Sequence, residues 1–362
     1  MIKQITNRNN EFQQDSKACA LCGEKVANKT NTHCLTDAII KRCLNIDGSI
    51  SRDKGSYYKF SPQTASVQYY YQRGVLPEIN EEILGRPTTE EEDKQAIQIP
   101  FSVDYVFCSD CEKLFTQYET SFTNSILNKF RKKSPHNTDE ISIKEAETLR
   151  MFFYLQLWRS SVCLKFNLSA SLQQELHNYI LHPEEHHEEI NSIPLSITYL
   201  ETRKDEDYTN NIIGFGRTYN PYVIFMNDFV IQIYDPLEYM HFDELYGINE
   251  LSNFKRYINF KETEFIVKVI KDEKRKQILE NFFGQQTDIF LQKLLPIICS
   301  LFQNQCNRKP TTKEIKEILH NICQNQYFGS KFSQSEVEKE VNLYVYQNIT
   351  KKIVLLNKSI LC

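Results

Sequence analysis

Two cysteine pairs and one histidine are the residues of this chain whose types and spacing can do chemistry. Cys19-Ala-Leu-Cys22 and Cys108-Ser-Asp-Cys111 are Cys-x-x-Cys knuckles, and His33 lies between them in Asn31-Thr-His-Cys-Leu-Thr-Asp37. A Cys-x-x-Cys turn brings both sulfurs toward one point, and two such turns supply the four thiolates of a closed, tetrahedral, structural Zn²⁺ site. If Cys19, Cys22, Cys108 and Cys111 fill that shell, His33 is left over. A spare histidine can take a proton from water; it can equally cap a helix or stand in as a metal ligand. The 85 residues between Cys22 and Cys108 exceed what a compact zinc ribbon uses, and suit a finger whose knuckles sit on separate elements.

Composition narrows the alternatives. Eleven cysteines raise the question of disulfides. The start, Met1-Ile-Lys-Gln-Ile-Thr-Asn-Arg8, is polar and shows no apolar signal region. No run approaches the ~20 apolar residues of a membrane span. A soluble protein of the reducing cytoplasm is therefore expected, with thiols serving as metal ligands or small buried hydrophobes. Cys163, Cys299, Cys306 and Cys323 lie in or beside apolar helical stretches and read as structure. With 41% apolar residues, 23 Phe and 20 Tyr, the chain can bury sizeable cores and is not globally disordered. A net charge of −4 neither advertises nor excludes a nucleic-acid partner; residues 1–135 carry a formal +1, so the N-terminal part is the better suited to phosphate.

The elements that must position these residues follow from periodicity. Residues 1–17 are polar and read as a loose arm. Gly23 closes the first knuckle, where the turn needs a left-handed φ. Thr36–Leu44 reads as a helix capped by Thr36 or Asp37, with His33 just ahead of it. Tyr57–Phe60 and Ser66–Tyr71 have strand composition, Thr89–Asp93 is an acidic run, and Ser102–Phe107 alternates as a strand into the second knuckle. Leu114, Phe115, Tyr118, Phe122, Ile126 and Phe130 keep helical spacing from Asp110 to Phe130. A knuckle at the N-terminus of a helix is the arrangement of a treble clef. Pro135 breaks the pattern, and a domain boundary is expected at 135–142.

Beyond it, Ser142 and Glu145 fit a capping box ahead of a helix running to about Phe166, apolar nearly all round and hence buried. A second helix, Leu172–Leu181, stops before Pro183. Strands are expected at Ile197–Leu200, Ile212–Phe215, Val223–Met226, Phe229–Tyr234 and Glu264–Ile270, with a hairpin turn at Asn227-Asp228. Helices follow at Asp288–Cys299, Thr312–Cys323 (capped by Thr311 or Thr312) and Gln334–Ile349. The expected fold class is α+β: a treble-clef zinc domain over 18–135 with a long insertion, then a mixed helical and antiparallel-strand domain over 142–362.

The pattern Cys-x-x-Cys, then Thr32-His33 before an apolar helix start, then Val106-Phe-Cys-Ser-Asp-Cys-Glu-Lys-Leu-Phe-Thr-Gln-Tyr-Glu119, resembles a bacterial group of HNH-type (His-Me finger) nuclease-like proteins. In that group Ser-His-Ile-Ile-Pro stands where this chain has Thr32-His33-Cys34-Leu35-Thr36. A Cys-x-x-Cys-Glu-x-x-Phe-Ser-x-x-Glu helix stands over Cys108 to Glu119, and Leu157-Trp158-Arg159 is similar to a later Ser-x-x-Trp-Arg stretch. The resemblance covers roughly residues 18–165. It implies an HNH-like fold for the zinc domain and phosphodiester hydrolysis in DNA or RNA; some HNH-type proteins act against phage, so antiviral defence is an implied setting. His33 is then the general base, and a divalent ion, Mg²⁺ or Mn²⁺, stabilises charge on the phosphate and leaving oxygen. HNH nucleases commonly hold that ion with a second histidine on the helix after the last knuckle, and Glu112–Glu119 contains none. Carboxylates are hard ligands suited to Mg²⁺, which makes Glu112, Glu119 and Asp37 the candidates. Glu112 and Glu119 are also readable as solvated residues near a helix N-terminus.

Lys129, Arg131, Lys132 and Lys133 can bind nucleic-acid phosphate or simply complement a helix C-terminus. Arg159, in an apolar helix, needs an anionic partner, and an internal carboxylate is favoured over a phosphate. His182-Pro-Glu-Glu-His186-His187 reads as an exposed loop because Pro183 breaks the helical register. Gly214-Phe-Gly216 lacks the following helix of a phosphate-binding loop. The leading expectation is a zinc-stabilised, metal-dependent HNH-like endonuclease whose C-terminal domain contacts substrate or a protein partner, with no membrane involved. Its rival is a non-catalytic zinc finger that binds nucleic acid or a protein.

Overall fold

The computed structural model describes residues 17–41, 56–61, 66–71, 76, 78, 81, 86–90, 101–131, 136–164, 167–186, 193–201, 213–217, 220–260, 263–325 and 337–348. The chain is α+β. Strand β1 (Thr32–His33) and helix α1 (Asp37–Ile40) come first, then the antiparallel pair β2 (Ser56–Ser61) and β3 (Ser66–Tyr71). Strand β4 (Ser102–Val103) pairs antiparallel with β1, placing His33 opposite Ser102. The strand expected over Ser102–Phe107 is this short because Phe101 and Tyr105 take left-handed φ values of 53° and 57°, turning the chain on both sides of it. Residues 42–44 of the first expected helix, and the expected loose arm over 1–16, lie outside the described residues.

Helix α2 (Ser109–Phe122) runs on through a π-helical turn (Thr123–Leu127) into a last α turn (Asn128–Phe130). Next come β5 (Glu140–Ile143), α3 (Ala146–Leu164) and α4 (Ala170–Leu181). The capping box expected at Ser142 and Glu145 does not form. Ser142 is a strand residue paired with Ile266, and the Glu145 carboxylate binds Lys129 at 2.5 Å.

One sheet organises the rest. Its strands β6 (Leu195–Leu200), β7 (Ile213–Arg217), β8 (Tyr222–Met226), β9 (Phe229–Ile233) and β11 (Phe265–Ile270) join β5 in the order β5-β11-β6-β9-β8-β7, and β10 (Ile258–Asn259) adds to β6. Among the described residues, β11 and β6 are the one parallel pair of this sheet. Alternation along the strands sends Tyr222, Ile224, Met226, Phe229, Ile231 and Ile233 into a core with α2 and α3, and Val223, Phe225 and Val230 to the opposite face. Helix α5 (Asp272–Cys306) covers that second face with Ile278, Leu279 and Phe282. It is far longer than the Asp288–Cys299 helix expected. Its second half joins α6 (Thr312–Asn325) and the helix over 337–348 in a separate core of Ile298, Phe302, Ile318, Ile322 and Val341.

The core on the α3 side holds Cys19, Leu35, Ile39 and Phe107 together with Phe152, Trp158 and the sheet residues. The boundary expected at 135–142 therefore separates two stretches of chain that share one core. Helix α3, apolar most of the way round and buried as the sequence predicts, is the reason: it fills the space between the knuckles and the sheet, with Phe152 stacked on Phe122 at 3.8 Å and Trp158 beside Phe107 and Phe115. No described helix is long and apolar enough to cross a membrane.

Candidate functional site

The first knuckle is a tight turn closed by Gly23 N–H donating to Cys19 O at 2.9 Å, with Gly23 at φ +68° as the sequence requires. Backbone bonds from Ala20 N to Val106 O (2.9 Å) and from Lys29 N to Phe107 O (3.0 Å) tie it to the residues that enter the second knuckle. Cys108 sits ahead of α2 with extended φ, and its carbonyl accepts from Glu112 N–H. The four sulfurs of Cys19, Cys22, Cys108 and Cys111 thus converge, all within 4.8 Å of one another. The Cys22 and Cys108 sulfurs are 4.0 Å apart, near the tetrahedron edge of about 3.8 Å that a Zn–S bond of about 2.3 Å implies. A disulfide would need about 2.05 Å, and all four cysteines are free.

The electrostatics also suit a cation. Burial, then contacts with Cys108 and Cys19, push the Cys111 thiol far above its ordinary value. At Cys22, against the desolvation of its surroundings, the backbone N–H groups of Lys25 and Glu24 bring the thiol down to about 7. Sulfurs this close cannot all ionise unless a positive ion lies among them. Among the described residues, these four cysteines are the one group of three or more His, Cys, Asp or Glu side chains placed to hold a metal.

The turn that follows His33 is built differently. His33 is half-buried on β1. On one side of it, the buried Thr32 hydroxyl donates to Glu112 Oε1 at 2.8 Å; on the other, Thr36 Oγ1 donates to Glu119 Oε1 at 2.7 Å. Glu112 and Glu119 are seven residues apart on α2, about two helical turns and so one face. They grip the chain at both ends of the Thr32–Thr36 turn. Asp37, the third candidate ligand, opens α1 in its first turn. The structure does not gather Asp37, Glu112 and Glu119 around a common point with His33, so the second ion expected of the resemblance has no converging three-ligand group among the described residues.

Glu119 has a stronger partner. Arg159, 2% exposed on α3, reaches its carboxylate at 2.5 Å, which makes the internal acid expected for this arginine a residue of α2. Gln156, one turn earlier on α3 and wholly buried, accepts from Thr36 N–H at 2.9 Å. Gln156 and Ser160 are absent from the set the sequence singles out; Thr32 enters it only beside His33 in the motif, and Thr36 only in that motif and as a helix cap. The signal that could have found Gln156 is its place three residues before Arg159, one helical turn away, among the apolar residues Phe152 to Trp158.

Two members of the basic cluster lie among the described residues, and both are paired with protein carboxylates. Arg131 forms a two-pronged ion pair with Asp228, at 2.7 and 2.8 Å, and donates to the carbonyls of Ala38 and Ile39 at 3.2 Å each. It therefore plugs the C-terminal end of α1 and locks it to the β8–β9 hairpin turn, where Asn227 takes φ +60° as a two-residue turn requires. Lys129 is bound to Glu145. Two of the four expected phosphate contacts, Lys129 and Arg131, are thus paired with protein carboxylates, while Lys132 and Lys133 lie outside the described residues. The His182–His186 stretch is a turn outside α4, as expected. No family model, curated protein or solved structure matches this chain.

Proposed function

We propose that the four-cysteine cluster holds a structural Zn²⁺ in a treble-clef finger, and that the chain is an HNH-like nuclease hydrolysing phosphodiester bonds in DNA or RNA with His33 as general base. The observation that carries this reading is the place of His33: half-buried on a strand paired antiparallel with β4, which leads into the second cysteine knuckle and α2. A strand-strand-helix unit stapled by a metal gives a histidine the fixed backbone that proton abstraction from a positioned water needs. Apart from the four cysteines, the described residues offer no converging group of three or more ligands for Mg²⁺ or Mn²⁺, so no step is assigned to a resident ion. The divalent cation enters the experiment as an added reagent able to neutralise charge on the phosphate.

A second reading has its own observation in favour. The carboxylates of Glu112 and Glu119 are spent on Thr32, Thr36 and Arg159, as they would be in a finger that binds nucleic acid or a protein partner without cutting. Cleavage of single- and double-stranded DNA and RNA by the zinc-loaded chain, with Mg²⁺ or Mn²⁺, decides between them. The nuclease reading expects wild type to cut and His33→Ala to lose on the order of 10²- to 10⁴-fold in rate. Equal rates in both remove His33 as the base. Binding without cleavage of any substrate selects the second reading.

A further inference from the structure

Behind His33 the chain is held by a converging set of hydrogen bonds. Cys34 N–H donates to Phe101 O at 2.6 Å. The Cys34 carbonyl accepts from Arg159 Nε at 3.3 Å and from Ser160 Oγ at 3.4 Å. Two residues on, Thr36 gives its N–H to Gln156 Oε1 and its hydroxyl to Glu119 Oε1. Arg159 Nη2 then bridges both acceptors, Glu119 at 2.5 Å and Gln156 at 3.3 Å. Its guanidinium also lies 5.6 Å from the centre of the Phe115 ring, on the same helix as Glu119.

A buried arginine–carboxylate pair is a weak source of net stability, because both charges must leave water; well-packed apolar side chains of similar volume often do as well. A planar fork offers direction, which apolar packing does not. Here the fork meets three acceptors on three elements: the chain after His33, helix α2 and its own helix α3. We propose that Arg159 is a positioning residue for His33, fixing the Cys34–Thr36 backbone and through it the place and hydrogen bonding of the imidazole. It acts through this turn and touches no substrate. The inference rests on the reading of His33 as a base and deepens it.

The test uses the zinc-loaded full chain with Arg159→Lys, which keeps the charge and loses the fork, and a double variant, Arg159→Met with Glu119→Met, which removes both charges and keeps the volume. Folding is checked by near-ultraviolet circular dichroism and zinc content. The readout is the ¹⁵N signal and pH titration of the His33 ring, assigned by its disappearance in His33→Ala, together with kcat and KM for cleavage. The proposal expects folded, zinc-replete variants whose His33 signals and titration midpoint move. It also expects kcat to fall on the order of 10- to 100-fold while KM changes less than about twofold. His33 signals and titration that superimpose on wild type in a folded variant overturn it. Loss of fold in both variants also overturns it, since Arg159 would then hold the core and not the histidine in particular. If wild type cleaves nothing, the nuclease reading fails, and the titration still decides whether Arg159 places the ring.

Discussion

At the knuckle end of the molecule β1 and β4 are two residues each and α1 is four, yet Leu35, Ile40 and Phe107 are wholly buried there. At the other end α5, α6 and the helix over 337–348 run for many turns around a core of their own. Elements as short as β1 and α1 cannot fold by local preference, since a first helical turn costs more than it returns. They are held by contacts distant in sequence: Ala20 to Val106, Thr36 to Gln156, Arg131 to Ile39, and the four sulfurs. The C-terminal helices carry their instructions locally. Thr311 and Glu314 form a reciprocal capping box, with Thr311 N–H on Glu314 at 2.7 Å and Glu314 N–H on Thr311 Oγ1 at 3.3 Å, and Arg308 adds a 2.6 Å ion pair. One end depends on cross-links between remote segments, the other on signals within a few residues.

Removing the proposed zinc is the most severe way to break the first end and spare the second. Structural zinc in small fingers is worth about 10 kcal/mol or more. Cys108→Ser, or a strong chelator, is expected to abolish stoichiometric zinc and strip amide-exchange protection from residues 18–40 and 102–115, with α6 still protected. A native protein without zinc, or protection lost equally in α6, breaks the comparison. Arg131→Ala comes next. It leaves Asp228 buried and unpaired and uncaps α1, a loss of about 3–5 kcal/mol. Denaturant unfolding followed at Trp158, whose ring lies in the core that the knuckles share, should show it; a change under about 1 kcal/mol would mean that the pair is solvated in solution.

The smallest effect belongs to the other end. Glu314→Ala removes half of the capping box, for about 1 kcal/mol, and should raise exchange in α6 while zinc content stays the same. The acid limb sharpens the point. Arg308 beside Glu314 holds its carboxyl down at about 2, below the ordinary value of about 4.3. A carboxyl depressed on folding stabilises fully above the unfolded value, and that stabilisation is lost as pH falls through about 2. The wild-type helical end should therefore lose protection between about pH 4.5 and 2 in a way that Glu314→Ala does not. Parallel acid profiles in both would remove the ion pair from the account.

The same contrast explains what could be read in advance. The knuckles, the α3 and α4 helices and the β8–β9 hairpin are written in local spacing, and Thr311 was already one of two caps the sequence offers. Ser142 and Glu145 carry an equally good local signature, and pairing with β11 and Lys129 overrides it. The type of partner Arg159 needs is legible from an arginine in an apolar helix; its identity, 40 residues away, is not. Glu112 and Glu119 show their common helix face in the sequence. Whether that face meets an ion or the hydroxyls of Thr32 and Thr36 depends on where a two-residue strand 80 residues upstream comes to rest.

Helix α5 has a consequence for anyone who alters this chain. Leu279 and Phe282 belong to the sheet-side core and Leu294 to the helical one, and Gly284, between them, is exposed with nothing near its missing Cβ. The connection is itself a helix, so it transmits phase as well as length. Each residue inserted or deleted there turns everything downstream by about 100° and shifts it by about 1.5 Å. A linker of ordinary coil would absorb such a change; this one converts it into rotation, so that insertions of seven residues, close to two full turns, are the first that restore the original facing.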